Sequence, residues 1–336
     1  MGNASRLGRS VAGCGQFTRS NARLLRYQCG VRFISEEGSM GVRVGINTWS
    51  RHVTGLFPYL DQVIHPFDSL WLPDHVQYNG HNVAEGWTMA AWALARYPDK
   101  LVGHAVLCNS FRNPGHLAKM AATAQAFSGG RVVIGIGAGW NEEEYLGYGW
   151  PFPRARVRIE QLAEAIQIMR LMWTDTPVNF AGKHYQLENA YCEPKPEIVP
   201  PVMVGGGGER YLLRVVAEHA DWWNWVYSDV ETYAHKQSVL KEHCRAVGRE
   251  YDEILQMMHV SVLIAENESE LRRLREDPDV RPSSEGTIEG TPAQVTDALL
   301  RIVEQGAQRI TVNIADAPRV EGSYLFAATV LPHLSG

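Results

Sequence analysis

The sequence predicts one α/β domain over residues 40–336, folded as a (β/α)8 TIM barrel with an inserted hairpin and loop segments. Short β-rich apolar runs alternate with longer helical patterns, the signature of successive βα units around a parallel sheet. Eight such runs occur, and 336 residues lie within the range that α/β barrels occupy as a single domain. The runs also end in polar residues and glycines, as barrel strands do where they deliver side chains to a common mouth. By strand count alone a doubly wound open sheet remains the rival.

In order, the strands read as VRVGINTW (42–49), FDSLWLP (67–73), LVGHAVLCN (101–109), VVIGIGA (132–138), PVMVGG (201–206), DWWNWV (221–226), LQMMHVSVLIA (255–265) and RITVNIA (309–315). The strongest helical pattern is RVRIEQLAEAIQIMRLMWTD, where Ile159, Leu162, Ala163, Ile166, Met169 and Trp173 share one face. In GTPAQ, Thr291 as N-cap, Pro292 at the first helical position and Gln294 two residues on predict a capping box. Between 174 and 200, alternating Val178, Phe180, Tyr185 and Leu187 around Gly182-Lys183 predict a small hairpin before the fifth barrel strand. The Pro-, Gly- and Ser-rich stretch 276–290 is expected to be a mobile loop, and long connections of this kind often cover a site. Residues 1–39 lack hydrophobic periodicity and are read as a disordered or transit-like extension, or as an over-long start ahead of Met40.

The net charge of −5 conceals a division. Six arginines and no acid fall in the first 35 residues, leaving 37 acids against 26 bases, or −11, for the remainder. A body that acidic, with no basic stripe, does not fit a phosphate backbone, so no nucleic-acid partner is expected. No apolar run approaches the length of a membrane span, and no membrane partner is expected. Five scattered cysteines without C-x-x-C pairs indicate a reducing, cytoplasmic setting. Twelve histidines show no zinc-like spacing, so no metal is expected.

The candidate site residues lie at strand ends. Asn47 and Trp49 end the first run, Asp74 and His75 follow the second, Cys108 ends the third, and Ala138, Gly139, Trp140 and Asn141 follow the fourth. A histidine beside a carboxylate can be oriented and tuned for proton transfer, which makes Asp74-His75 the best acid–base candidate. Gly205 to Gly208 stand between a strand and a strong helix, where exposed N–H groups form a ready phosphate site, with Arg210 close by. The G-x-G-x-G pattern from Gly135 fails as a dinucleotide fingerprint, because Trp140 stands where the third glycine is needed. Glu142, Glu143 and Glu144 read as a charged first helical turn with Asn141 as its cap. Trp140, Trp225, Trp49 and their aromatic neighbours offer surface against which a flat, largely apolar ligand could pack.

Taken in this order, FDSLWLPDH, GRVVIGIGAGWNEEEYLGYGWPFPRARVRIEQLAEAIQIMRLMW, FAGKHYQLENAYCEPKP, PVMVGGGGERYLLRVVAEHADWWN and GTPAQV resemble the bacterial luciferase-like superfamily of flavin and deazaflavin oxidoreductases. The resemblance covers Met40 to the C-terminus, and the runs GAGWNEEEY and GGGGER look most like the branch that uses coenzyme F420. It implies a deazaflavin in the barrel mouth, with Asp74 and His75 at the ring and His75 as proton donor. Ala105, Val106 and Cys108 match a third-strand bulge, with a non-proline cis peptide, that backs the ring. Ala138, Gly139 and Asn141 match its fourth-strand contacts, while Gly205, Gly206, Gly208 and Glu209 match the turn that holds the phosphate-bearing tail.

The resemblance therefore implies an F420-dependent oxidoreductase that moves a hydride to or from a small organic substrate, with Asn47, Trp49, Trp140 and Trp225 lining the substrate pocket. An FMN-dependent monooxygenase is the nearest alternative, a non-catalytic flavin-binding protein the second, and a homodimer is expected. One departure matters. The family's sugar-phosphate dehydrogenases carry a glutamate after the fourth-strand glycine where this chain has Trp140, which argues against glucose-6-phosphate as substrate.

Overall fold

The computed structural model describes residues 41–48, 53–280 and 286–335. The extension 1–39 and Trp49 lie outside the described residues. The strands are β1 (Arg43–Asn47), β2 (Ser69–Leu72), β3 (Leu101–His104), β4 (Leu107–Cys108), β5 (Val132–Gly137), β6 (Val178–Ala181), β7 (Gln186–Ala190), β8 (Val202–Gly205), β9 (Trp222–Val226), β10 (Leu255–Ile264), β11 (Ile288–Gly290) and β12 (Arg309–Ile314). The helices are α1 (Leu56–Val63), α2 (Gly86–Arg96), α3 (Pro114–Ser128), α4 (Glu142–Gly147), α5 (Ala155–Thr174), α6 (Leu212–His219), α7 (Val230–Val247), α8 (Glu268–Glu276), α9 (Pro292–Glu304), α10 (Glu321–Thr329) and α11 (Leu331–Leu334).

The parallel order β1-β2-β3-β5-β8-β9-β10-β12 closes on itself, with Val44 opposite Ile310 where β12 meets β1. That closure makes the fold an eight-stranded barrel and removes the open-sheet rival. Strands covered on both faces read as nearly continuous apolar runs. Their outward side chains, among them Val44, Ile46, Leu70, Leu72, Ile134, Val204 and Val312, pack with the helices in the main core. The inward side chains of Trp71, Val133, Met203, Trp222 and Met257 fill the lumen, with the Trp71 and Trp222 rings 6.0 Å apart. This packed floor makes the barrel a solid core below the mouth.

The expected helix and cap are both present. On α5, Leu162, Ile166, Met169 and Trp173 are buried, and Trp173 Nε1 donates to Ala118 O at 2.9 Å, fastening α5 to α3. The capping box of α9 includes a 2.7 Å bond from Thr291 N to Gln294 Oε1. β6 and β7 form the predicted antiparallel hairpin. Its turn is fixed to α5 by Glu164, whose carboxylate accepts the N–H groups of Lys183, His184 and Tyr185 at 2.8, 2.9 and 3.0 Å.

Two expectations need revision. The run 101–109 is not one strand, because a cis peptide between Ala105 and Val106 separates β3 from β4. The stretch 276–290 is not a loop throughout. Ile288 to Gly290 add a parallel strand beside β10, where Ile288 is buried and Gly290 O accepts the Ala265 N–H at 3.2 Å. Residues 281–285 lie outside the described residues. Among the described residues, no helix is long and apolar enough to cross a membrane, and no group of three or more His, Cys, Asp or Glu side chains could hold a metal.

Candidate active site

The end of β2 sends its two ionisable residues in different directions. The Asp74 side chain is fully buried and accepts from Arg112 Nη1 at 2.7 Å, Arg112 Nη2 at 2.9 Å and Cys108 N at 2.9 Å. Arg112 also meets Glu85, which caps α2 by accepting from the N–H groups of Trp87 and Thr88. Burial alone would raise the Glu85 carboxyl, but the Thr88 hydrogen bonds and the Arg112 charge outweigh it and hold the group down at about 2. Asp74 is thus committed to holding strand ends together.

His75 is paired with a different carboxylate, that of Glu144, both of whose oxygens lie 3.1 Å from Nδ1. Glu144 is only 3% exposed and also accepts the Val76 N–H at 2.9 Å. Further contacts hold residues 75–78 against α4: Tyr148 donates to Val76 O at 3.1 Å, and Gln77 to Glu143 Oε1 at 3.1 Å. The His75 ring lies 4.9 Å from Tyr78 and edge-on to Trp140 at 6.3 Å. Trp140 itself is 66% exposed at the rim. His75 Nε2 has no partner among the described residues.

Glu144 is the site residue that reading the sequence missed, since three consecutive glutamates resemble a solvated helical turn. The available signal was the neighbouring Tyr145, which is completely buried and turns this side of α4 inward. Asn141 stands at the N-cap as expected, although its side chain makes no capping hydrogen bond.

The next wall comes from β3, β4 and β5. The Val106 side chain sits between Gly137 and Gly205: a Cβ at either position would come within 2.9 or 2.7 Å of its methyl groups. Gly139 has φ +77°, and a Cβ there would fall 2.0 Å from Tyr145 Oη and 2.7 Å from Cys108 Sγ. Only glycine permits that backbone and that approach. Behind it, Cys108 Sγ lies 3.2 Å from Tyr145 Oη, which donates to Ala138 O at 3.3 Å. Burial pushes the Cys108 thiol up to about 11, so it supports the wall as a neutral S–H group. Ala105, Val106, Ala138 and Gly139 therefore form adjoining parts of an apolar, closely packed wall.

On the next strand, Gly206 N donates to Asn224 O at 3.0 Å, and Gly206 O accepts from Trp223 Nε1 at 2.8 Å. Gly207 and Gly208 donate to no backbone carbonyl among the described residues. The helix does not start directly after the glycines, because a turn at 209–211 precedes α6. Within that turn Glu209 is held by Lys236 at 2.6 Å and His235 at 3.1 Å, while Arg156 and Arg210 both lie over the Tyr211 ring. Trp225 is on the helix-facing side of β9, stacked on Trp223 beneath Gly207, and so backs the turn rather than the mouth.

Asn47 reaches inward from β1, with Nδ2 3.4 Å from His259 Nδ1. Burial pushes His259 down to about 4, keeping it neutral, and a donating Asn47 amide places the histidine's proton on Nε2. Ser261 Oγ, further along β10, and Thr311 Oγ1, on β12 between β10 and β1, are buried without a partner among the described residues. The floor of the mouth thus offers polar atoms whose hydrogen-bonding capacity the chain leaves unused.

Residues 65–284 match the model of the family described as luciferase-like monooxygenase. The chain belongs to that family. It is 35% identical over 161 residues to an F420-dependent glucose-6-phosphate dehydrogenase of Amycolatopsis mediterranei, covering 46% of each chain. The chain spans about half the length of the curated relatives it matches. In structure it is similar to an F420-dependent secondary alcohol dehydrogenase in complex with an F420-acetone adduct, with a TM-score of 0.77, 20% identity, and coverage of 88% of this chain and 100% of that one. It is also similar to the monooxygenase RslO1 from Streptomyces bottropensis, with a TM-score of 0.72, 19% identity, and coverage of 87% and 99%. At these identities the structural likenesses establish the barrel, and the family match places the chain among the luciferase-like proteins.

Proposed function

We propose that the protein is an F420-dependent oxidoreductase that transfers a hydride between the deazaflavin and a small organic substrate. The observation that carries this reading is the mouth itself. An apolar wall at Ala105–Val106 and Ala138–Gly139 adjoins a histidine whose Nδ1 is held by a buried carboxylate and whose Nε2 is unpaired. The F420-dependent relatives add support. When bound, the deazaflavin supplies the hydride chemistry at its C5.

The protein's own residues have distinct tasks in this reading. Val106, Ala105, Ala138 and Gly139 back the ring, and Asp74 and Cys108 fix that wall from behind. The unused N–H groups of Gly207 and Gly208, beside Arg156 and Arg210, suit the phosphate-bearing tail. His75 accepts or returns a proton at Nε2 as the substrate is oxidised or reduced. Asn47 and Trp140 face the substrate, and Trp140 disfavours glucose-6-phosphate. The described cysteines Cys108, Cys192 and Cys244 are free and buried, which suits a cytoplasmic enzyme, and a homodimer is expected by light scattering.

The family description and the likeness to RslO1 favour one second reading, an FMN-dependent monooxygenase. Titration with F420, followed by its fluorescence, and anaerobic titration with reduced FMN separate the two. Saturable F420 binding, with turnover lost and binding retained in His75→Ala, is the expected result. Binding of reduced FMN alone with oxygen-dependent turnover would replace the first reading with the second, and F420 binding without turnover under a substrate screen would indicate a binding protein.

A further inference from the structure

We infer that Glu144 is the positioning residue that sets the proton geometry of His75, fixing Nδ1–H so that Nε2 is the only ring atom that exchanges a proton at the mouth. The inference rests on the proposed function only in assigning that proton to a reaction.

An ionised carboxylate is an acceptor only, and both Glu144 oxygens lie 3.1 Å from Nδ1, so Nδ1 must supply the hydrogen. A neutral ring then presents the Nε2 lone pair, and a protonated ring presents Nε2–H, without any turn of the imidazole between the two states. The same carboxylate accepts the Val76 N–H at 2.9 Å, so it holds the backbone next to the ring as well as the ring itself. At 3% exposure it does this away from solvent, where such hydrogen bonds are stronger. Asp74 is not available for the role, because Arg112 and the Cys108 N–H already occupy both its oxygens.

Replacement by glutamine makes a sharp test. In Glu144→Gln the Val76 N–H keeps the amide oxygen, which leaves the side-chain NH2 against Nδ1. The NH2 group sets two hydrogens against Nδ1, which favours an accepting Nδ1 and draws the proton to Nε2, against an amide oxygen that is a weaker acceptor for Nδ1–H than the carboxylate it replaces. Imidazole 15N spectra of the ligand-free protein read this directly, independently of any cofactor. We expect Nδ1–H in the unmodified protein, Nε2–H in Glu144→Gln, and Nδ1–H retained in Glu144→Asp. If F420 turnover is found, kcat should fall about 10²-fold or more in Glu144→Gln while F420 affinity changes less than about threefold. An Nε2–H tautomer in the unmodified protein overturns the inference, as does an unchanged tautomer in a folded Glu144→Gln. A failed F420 titration would remove the proposed function and leave the tautomer result standing. If Glu144→Gln does not fold, the unmodified protein's spectrum decides alone.

Discussion

Replacing Asp74 by alanine tests whether the strand ends are held together by a buried charge. Asp74 accepts three hydrogen bonds, two from Arg112 and one from the Cys108 N–H, with no side-chain exposure. Burial alone would lower the Arg112 pKa, but the hydrogen bonds and charges of Asp74 and Glu85 reverse this and raise it; with Asp74 removed the guanidinium is still charged, because its intrinsic basicity lies far above neutral pH. Breaking a buried pair from one side costs about 3–5 kcal/mol because an uncompensated charge remains. Glu85 still touches Arg112 and offsets part of that, while the orphaned Cys108 N–H adds about 1 kcal/mol. The net expectation is a loss of about 4 kcal/mol, roughly 10 °C in Tm for a domain of this size.

Urea unfolding and calorimetry of Asp74→Ala, Arg112→Met and the double variant measure it. Because the partners touch, the double variant should lose less than the sum of the single losses, with a coupling of about 1–3 kcal/mol. A loss under about 1 kcal/mol in Asp74→Ala, or no coupling, would refute the buried-clamp account.

Three further outcomes are expected. Gly205→Val should weaken F420 binding at least tenfold while the barrel stays folded by circular dichroism, because a Cβ there comes within 2.7 Å of Val106 and displaces the wall. Glu164→Ala removes the acceptor of three hairpin N–H groups, so amide exchange over residues 182–187 should rise while the barrel strands keep their protection. Asp316 is buried and its carboxyl is raised to about 6, chiefly by burial, against 3.8 in the ordinary state. The folded state therefore binds the extra proton between those values, and the stabilisation present below pH 4 is lost as pH rises through 6, by up to about 3 kcal/mol. Asp316→Asn should gain on the unmodified protein across that window; a pH-independent difference in urea unfolding would contradict this.

The barrel was legible because its signal is repeated. Eight apolar runs and their intervening helical patterns each report the same two-sided burial, so an error at one strand end leaves the count intact. The α9 capping box and the β6–β7 hairpin were legible for a related reason, since their partners lie within a few residues in the chain. What stayed hidden depends on distant partners. Glu144 reaches His75 across 69 residues, Arg112 reaches Asp74 across 38, and Glu164 reaches the hairpin turn across 19 to 21. No local pattern distinguishes a glutamate that solvates a helix end from one that turns inward to a histidine. Ile288 was missed because one apolar residue among Pro, Gly and Ser does not make an alternation.

Strand parity, however, contained more than composition did. Successive side chains on a strand point to opposite faces, so adjacent residues at a strand end are poorly placed to share a partner. On β2, Trp71 faces the lumen while Leu70 and Leu72 face the helices. Extending that alternation puts Asp74 on the helix side, where Arg112 meets it, and His75 on the side of the mouth. The carboxylate for His75 therefore had to come from another element, and α4, which follows β5 two strands along the barrel, supplies it. The same parity separates the tryptophans of β9: Trp222 joins the lumen cluster, whereas Trp223 and Trp225 stack on each other towards α7. Trp225 thus sits where its register requires, behind the glycine turn. Its replacement by leucine is expected to loosen the glycine turn at 205–208 more than to alter which substrate is accepted.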